Sequence, residues 1–106
     1  MTVHNAMRIE KCRVEIDEID NELLLLLNRR ARLVVEIMLA KRHNGIAFRD
    51  GRREQEILAR AVESNAGPMD ARAVTGIFSR VFSESLRFAS ELALADNSVS
   101  ADRLPL

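Results

Sequence analysis

The chain has 106 residues, 16 of them basic and 16 acidic, so its formal net charge at neutral pH is zero. That length is enough for one domain, and the balanced charge excludes a global field drawing the chain to nucleic acid or an anionic membrane. With 30% charged and 47% hydrophobic residues, the composition is neither that of a disordered chain nor that of a membrane protein. A domain this small buries a modest share of its surface, and association with further copies is a common remedy. Four Phe and no Trp or Tyr leave too few rings for a base-stacking platform. Cys12 is the only cysteine, which excludes an intrachain disulfide and a cysteine metal cluster; it reads as a small buried hydrophobe. The stretch from Met1 to Arg13 is polar and mixed, unlike a signal peptide. The longest solid apolar run, Leu23 to Leu27, is far too short to span a bilayer. A cytoplasmic protein is expected.

No stretch shows strand alternation, and Gly45, Gly51, Gly67 and Pro68 punctuate the chain. The pattern predicts an all-α domain over residues 1–106 with three helices, at about 6–43, 50–65 and 70–94, and a flexible tail over 97–106. In the first helix Ile9, Cys12, Ile16, Ile19, Leu23, Leu26, Arg30, Leu33, Ile37 and Ala40 recur at alternating spacings of three and four. This is a heptad seam sustained over more than four heptads. A helix of that length runs ~57 Å at 1.5 Å per residue. Two helices of about 16 and 25 residues cannot cover it. The seam therefore calls for a partner, and a second copy is the simplest one.

Asp50 is a good N-cap for the second helix, whose inward face carries Asp50, Arg53, Glu54, Ile57, Leu58, Ala61 and Val62. Asn65-Ala66-Gly67-Pro68 reads as its stop. Asp70 is a plausible N-cap for the third helix. The expected inward stripe there is Val74, Ile77, Phe78, Val81, Phe82, Ser85, Phe88, Ala89 and Leu92.

Three polar residues interrupt these apolar patterns. Arg30 sits inside the first seam, Lys41 beside its end, and Ser85 within the third stripe. An inward arginine needs an anion or a wet site, because an unpaired buried charge costs several kcal/mol. Arg30 and Lys41 are eleven residues apart, so on an ideal helix they point within about 20° of each other and lie roughly 16 Å apart along the axis. Two long cationic side chains at that spacing suit a small dicarboxylate. Arg13 lies about 100° round the helix from Arg30 and roughly 25 Å away, too far for the same pocket within one chain. If two first helices run antiparallel and cross near Asn21 to Leu23, Arg13 of one lies beside Arg30 of the other. Asp50, Arg53 and Glu54 add a polar face at i, i+3 and i+4, preceded by Arg49.

Each residue also has a plainer reading. Arg30 can snorkel or pair with Glu36. Lys41, in Lys41-Arg42-His43, can be a solvated cation at a helix end. Arg53 and Glu54 can be surface ion pairs, and Ser85 can bond back to a helix carbonyl. His4 and His43 have no companion ligands in sequence, and no metal site is expected.

The set Arg13, Ile16, Ile19-Asp20, Leu23, Leu26-Leu27, Arg30, Val34, Ala40-Lys41, Arg49-Asp50, Arg53-Glu54, Ile57, Ile77-Phe78, Val81 and Ser85 resembles the all-helical class of chorismate mutase, the class also found fused to prephenate dehydratase. The resemblance runs from about Arg13 to Ala89. It implies an intertwined homodimer of three-helix chains whose long first helices cross between subunits. It implies the rearrangement of chorismate to prephenate in aromatic amino-acid biosynthesis, without a cofactor. It further implies that Arg30 and the Arg13 of a partner hold the two substrate carboxylates, and that Lys41 donates to the ether oxygen. Asp50, Arg53 and Glu54 would position the ring hydroxyl and a carboxylate, and Ser85 would assist at the ring carboxylate. On this resemblance Lys41, Arg30 and Glu54 would be the catalytic set.

The chain departs from the family four residues after Ser85, where Ala89 replaces the usual Gln or Glu that donates a second hydrogen bond to the ether oxygen. Losing one donor aimed at developing charge typically costs ~10²–10³ in rate. Arg87 is no substitute, since it points about 160° from Ser85 on an ideal helix. Three alternatives follow: an isochorismate pyruvate-lyase using the same cationic site, a weakened mutase, or a non-catalytic binding module of the same fold. A nucleic-acid binder built on Arg29, Arg30, Arg32, Lys41 and Arg42 is disfavoured, because Asp17, Glu18, Asp20 and Glu36 are interleaved and no recognition helix is apparent.

Overall fold

The structure, a computed structural model, describes residues 2–45 and 49–99. Among these residues there are three helices and no strand: α1, Val3–His43; α2, Gly51–Ser64; and α3, Ala71–Val99. The chain divides into two compact units, Met1–Leu33 and Val34–Leu106.

The first unit is the longer part of α1. The helix starts three residues earlier than the seam predicts because Thr2 caps it: the Asn5 N–H donates to the Thr2 hydroxyl at 3.2 Å, and the Ala6 N–H to the Thr2 carbonyl at 3.0 Å. The seam residues Ile16, Ile19, Leu23 and Leu26 are 51–57% exposed. Leu24, Leu25 and Leu27, on other faces, are exposed as well. Cys12, expected to be buried, is exposed in the single chain. Its neighbours along the seam are open to solvent too, so the burial expected from its heptad position is not supplied within the chain.

The second unit holds the last turns of α1 together with α2 and α3. Its core is Met38, Leu39 and Ala89, flanked by Val34, Val35 and Ala93. The covered stripe of α1 is therefore Val34, Val35, Met38 and Leu39, while the seam residue Ile37 stays exposed. The end of α1 thus has two apolar faces, and only one is satisfied within the chain. Gly45 takes a left-handed conformation (φ 67°) after the helix, where a residue without Cβ carries no steric penalty. The Asn44 amide bonds back to the Ala40 carbonyl at 2.9 Å.

Caps fix the other two helices. The Asp50 carboxylate accepts the Arg53 N–H, and the Asp70 carboxylate accepts the Ala73 N–H at 2.8 Å. Between α2 and α3, the Asn65 side chain accepts from the Gly67 N–H and donates to the Met69 carbonyl, and Gly67 again has positive φ. The Gly67-Pro68 peptide is cis. The two helices pack on each other, with Val74 and Phe82 buried and the Phe78 and Phe82 rings tilted at 6.3 Å.

Two sequence expectations need correction on α3. Ile77, Phe88 and Leu92, expected inward, are exposed. Ile77 and Phe88 are eleven residues apart and share a direction to within about 20°, on the flank of the stripe that contains Ala89. α3 also continues to Val99, so the first three residues of the expected tail are helical; those from 100 onward lie outside the described residues.

Candidate active site

In the first unit, Arg13 is exposed, and Glu10, one turn back, lies 3.9 Å from its guanidinium. That exposed pair contributes little and leaves the guanidinium available. Arg13 lines a shallow apolar groove on α1 with Ile9, Cys12 and Ile16. Arg30 is half-buried, although Leu26 and Leu33 to either side of it on the seam are exposed.

In the second unit, Lys41 is half-buried in the last turn of α1. Asp50 is exposed, and one of its carboxylate oxygens is engaged as the cap of α2. Arg53, one turn on, is exposed. Glu54 is half-buried, with the Arg49 guanidinium 3.6 Å from its carboxylate. Both line a cleft of about 290 Å³ between α2 and α3, whose apolar floor is Leu58, Phe82 and Leu86. Gln55, Ser79 and Ser83 complete its rim, and none of these three stood out in the sequence. Their spacing carries the only signal, since Ser79 and Ser83 are one turn apart on α3.

Ser85 is half-buried, and its hydroxyl donates to the Val81 carbonyl at 2.7 Å. The hydroxyl must rotate to donate to a carboxylate. Ala89 is 0% exposed, sealed against Met38 and Leu39. The cleft thus gathers Glu54 and Arg49, whereas Ser85 and Ala89 do not line it.

Arg87 is held away on the outer face of α3. It donates to Glu84 at 2.8 Å and to Glu91 at 3.0 Å, and Arg80 reaches Glu84 at 2.9 Å. The hydrogen bond from Arg87, helped by the charges of Arg87 and Arg80, holds the Glu84 carboxyl below its ordinary pKa against a smaller opposing effect of burial. Hydrogen bonds to Glu84 and Glu91 raise the pKa of Arg87 in turn.

Among the described residues, no three His, Cys, Asp or Glu side chains gather where they could hold a metal ion. No helix among them is long and apolar enough to cross a membrane.

Residues 12–90 match the family described as chorismate mutase type II. The fold is similar to a solved structure of chorismate mutase (form II) from Thermus thermophilus, with a TM-score of 0.77, 35% identity, and coverage of 78% of this chain and 94% of that one. A form I structure of chorismate mutase from the same organism gives a TM-score of 0.73 and 36% identity, covering 74% of this chain and 98% of that one. No curated protein matches the chain significantly.

Proposed function

The chain belongs to the chorismate mutase type II family and is an isomerase of that type, and from that premise we propose how its own residues carry the rearrangement of chorismate to prephenate. In this reaction the ether C–O bond breaks while a new C–C bond forms within one molecule. Electrons stay in the ring of reacting atoms, and no nucleophile or net proton transfer is needed. The protein must hold a flexible dianion in a chair-like reactive shape and stabilise the charge growing on the ether oxygen. A million-fold acceleration requires these effects to supply at least ~8 kcal/mol.

Two copies of the chain form the working unit, and each site takes Arg30 from one copy and Arg13 of the partner subunit. These two guanidiniums bind the substrate carboxylates, because a planar fork matches a carboxylate bidentately. Lys41 donates to the ether oxygen. Glu54 accepts from the ring hydroxyl, Asp50 and Arg53 secure the ring substituents from the start of α2, and Ser85 turns from Val81 to the ring carboxylate. Ala89 offers no donor, which sets a lower rate than a family member carrying Gln or Glu there. The enzyme works in the cytoplasm.

The observation that carries the shared site is the open seam of α1: Ile16, Ile19, Leu23 and Leu26 remain exposed in the chain, although their heptad spacing is that of a buried interface. In the second unit, Ile77, Phe88 and Leu92 on α3 are exposed as well.

The test is to incubate purified protein with chorismate and follow its absorbance, with prephenate identified as product. No loss of chorismate at high enzyme concentration rejects the reading. Pyruvate release from isochorismate in place of prephenate formation assigns the lyase instead.

A further inference from the structure

Arg49 and Glu54 stand on either side of the cap of α2. With Asp50 as the cap, Arg49 is the residue before it and Glu54 is the fourth residue of the helix. In many helices these two positions carry an apolar pair that fixes the angle at which the chain enters the helix. Here the pair is charged. An Arg49 guanidinium nitrogen lies 3.6 Å from a Glu54 carboxylate oxygen, and both side chains line the cleft between α2 and α3. A cation does not help the start of a helix, because the N-terminus is the positive end of the dipole, and Arg52 and Arg53 already stand in the first turn. An apolar contact would fix the entry angle as well, and an ion pair whose arginine is 67% exposed adds little stability. What the arginine sets is the direction of Glu54. A glutamate side chain has several rotatable bonds, and an unheld carboxylate is better hydrated pointing away from the apolar floor of Leu58, Phe82 and Leu86.

We infer that Arg49 is a positioning residue for the mutase reaction, holding the Glu54 carboxylate in the cleft so that it meets the ring hydroxyl of the substrate. The inference rests on the role proposed above for Glu54. An ionised carboxylate has about four lone-pair sites, so one ion pair leaves it able to accept from a hydroxyl. Arg49 does not act on the breaking bond. Its effect passes through Glu54, and Glu54 grips a group that is present in substrate and transition state alike. Loosening such a contact raises KM more than it lowers kcat.

The wild-type dimer is assayed first, and an inactive wild type removes the mutase reading together with this one. With an active wild type, Arg49→Met keeps the stem and removes the charge. Circular dichroism melting checks its fold, and Arg49→Gln takes its place should it not fold. Its kcat/KM is expected to fall about tenfold, chiefly through KM. Arg49→Lys restores a charge within reach of Glu54 and is expected to stay within about threefold of wild type. Combination with Glu54→Gln separates positioning from other roles. Because Arg49 works through the carboxylate, adding Arg49→Met to Glu54→Gln should lower kcat/KM by less than about twofold. Where Glu54→Gln turns over too slowly to follow, the same variants are compared by the Kd of prephenate, which retains the ring hydroxyl. A folded Arg49→Met within about twofold of wild type overturns the inference. So does an Arg49→Lys as impaired as Arg49→Met. Losses that multiply in the double variant overturn it too, since they make Arg49 an independent contact. All three results leave the mutase reading intact.

Discussion

The Asp50 carboxylate and the Arg53 backbone N–H are joined at 3.1 Å, so a residue assigned to the substrate also starts the helix that carries Arg53 and Glu54. Cap and site can be separated by substitution. Asp50→Ser retains a capping oxygen and is expected to stay within a few tenths of a kcal/mol of wild-type stability, whereas Asp50→Ala loses about 1 kcal/mol. Urea unfolding measures both. A ring-positioning role predicts that the two variants share the same rise in KM despite their different stabilities. A KM that rises only in the alanine variant assigns Asp50 to structure alone.

Arg13 and Arg30 permit a mixing experiment. Alone, Arg13→Ala and Arg30→Ala each lack one guanidinium in every site and are expected to be nearly inactive. Mixed in equal amounts and allowed to exchange, they form heterodimers in which one of the two sites regains both arginines. Random assortment then restores about a quarter of wild-type activity. A mixture as inactive as its components shows that Arg13 does not cross between chains.

Ala89 is sealed against Met38 and Leu39. Ala89→Gln therefore inserts volume and an amide into a closed layer. It is expected to lower stability by about 1–3 kcal/mol, read by denaturant unfolding. Ala89→Ser, which adds one atom, costs less. An Ala89→Gln protein as stable as wild type would mean that the layer opens, and its kcat then reports how much the absent donor matters.

The Glu84 carboxyl is held below its ordinary pKa, chiefly by the hydrogen bond from Arg87. A carboxylate with a lowered folded-state pKa adds stability that is complete above its unfolded pKa and lost as the pH falls through the folded one. The Arg80-Glu84-Arg87 cluster therefore supports the fold at neutral pH and fades on the acid side. Carboxyl carbon NMR titration should place Glu84 below the usual glutamate range, and Arg87→Ala should move it back up. An unmoved midpoint in that variant removes Arg87 as the cause.

The three helices and two of their caps were legible in the sequence because they depend on neighbours a few residues away. Asp50 and Asp70 cap α2 and α3 as their positions predict. The Thr2 cap was missed because the seam's rhythm, carried back from Ile9, falls on the polar Asn5 and Thr2. Ser85 takes the local bond to Val81 that its plainer reading describes. Burial was harder to read. The end of α1 carries two apolar stripes about 150° apart on an ideal helix, and periodicity alone does not say which stripe the chain covers itself. The seam through Ile37 stood out because it is longer, yet Met38 and Leu39 are the buried residues. The cleft holding Glu54 with Ser79 and Ser83 depends on how α2 meets α3, and no spacing within either helix encodes that.

The five consecutive leucines from Leu23 to Leu27, all open to solvent, have a consequence for the protein's life in the cell. A freshly made chain presents greasy surface on every side of this stretch of α1, and the pairing proposed above would cover part of it. Its melting temperature should therefore climb as the sample is concentrated. At low abundance, chaperones and proteases should meet that surface before a second chain does, so the amount of working enzyme should rise more steeply than the amount of chain synthesised.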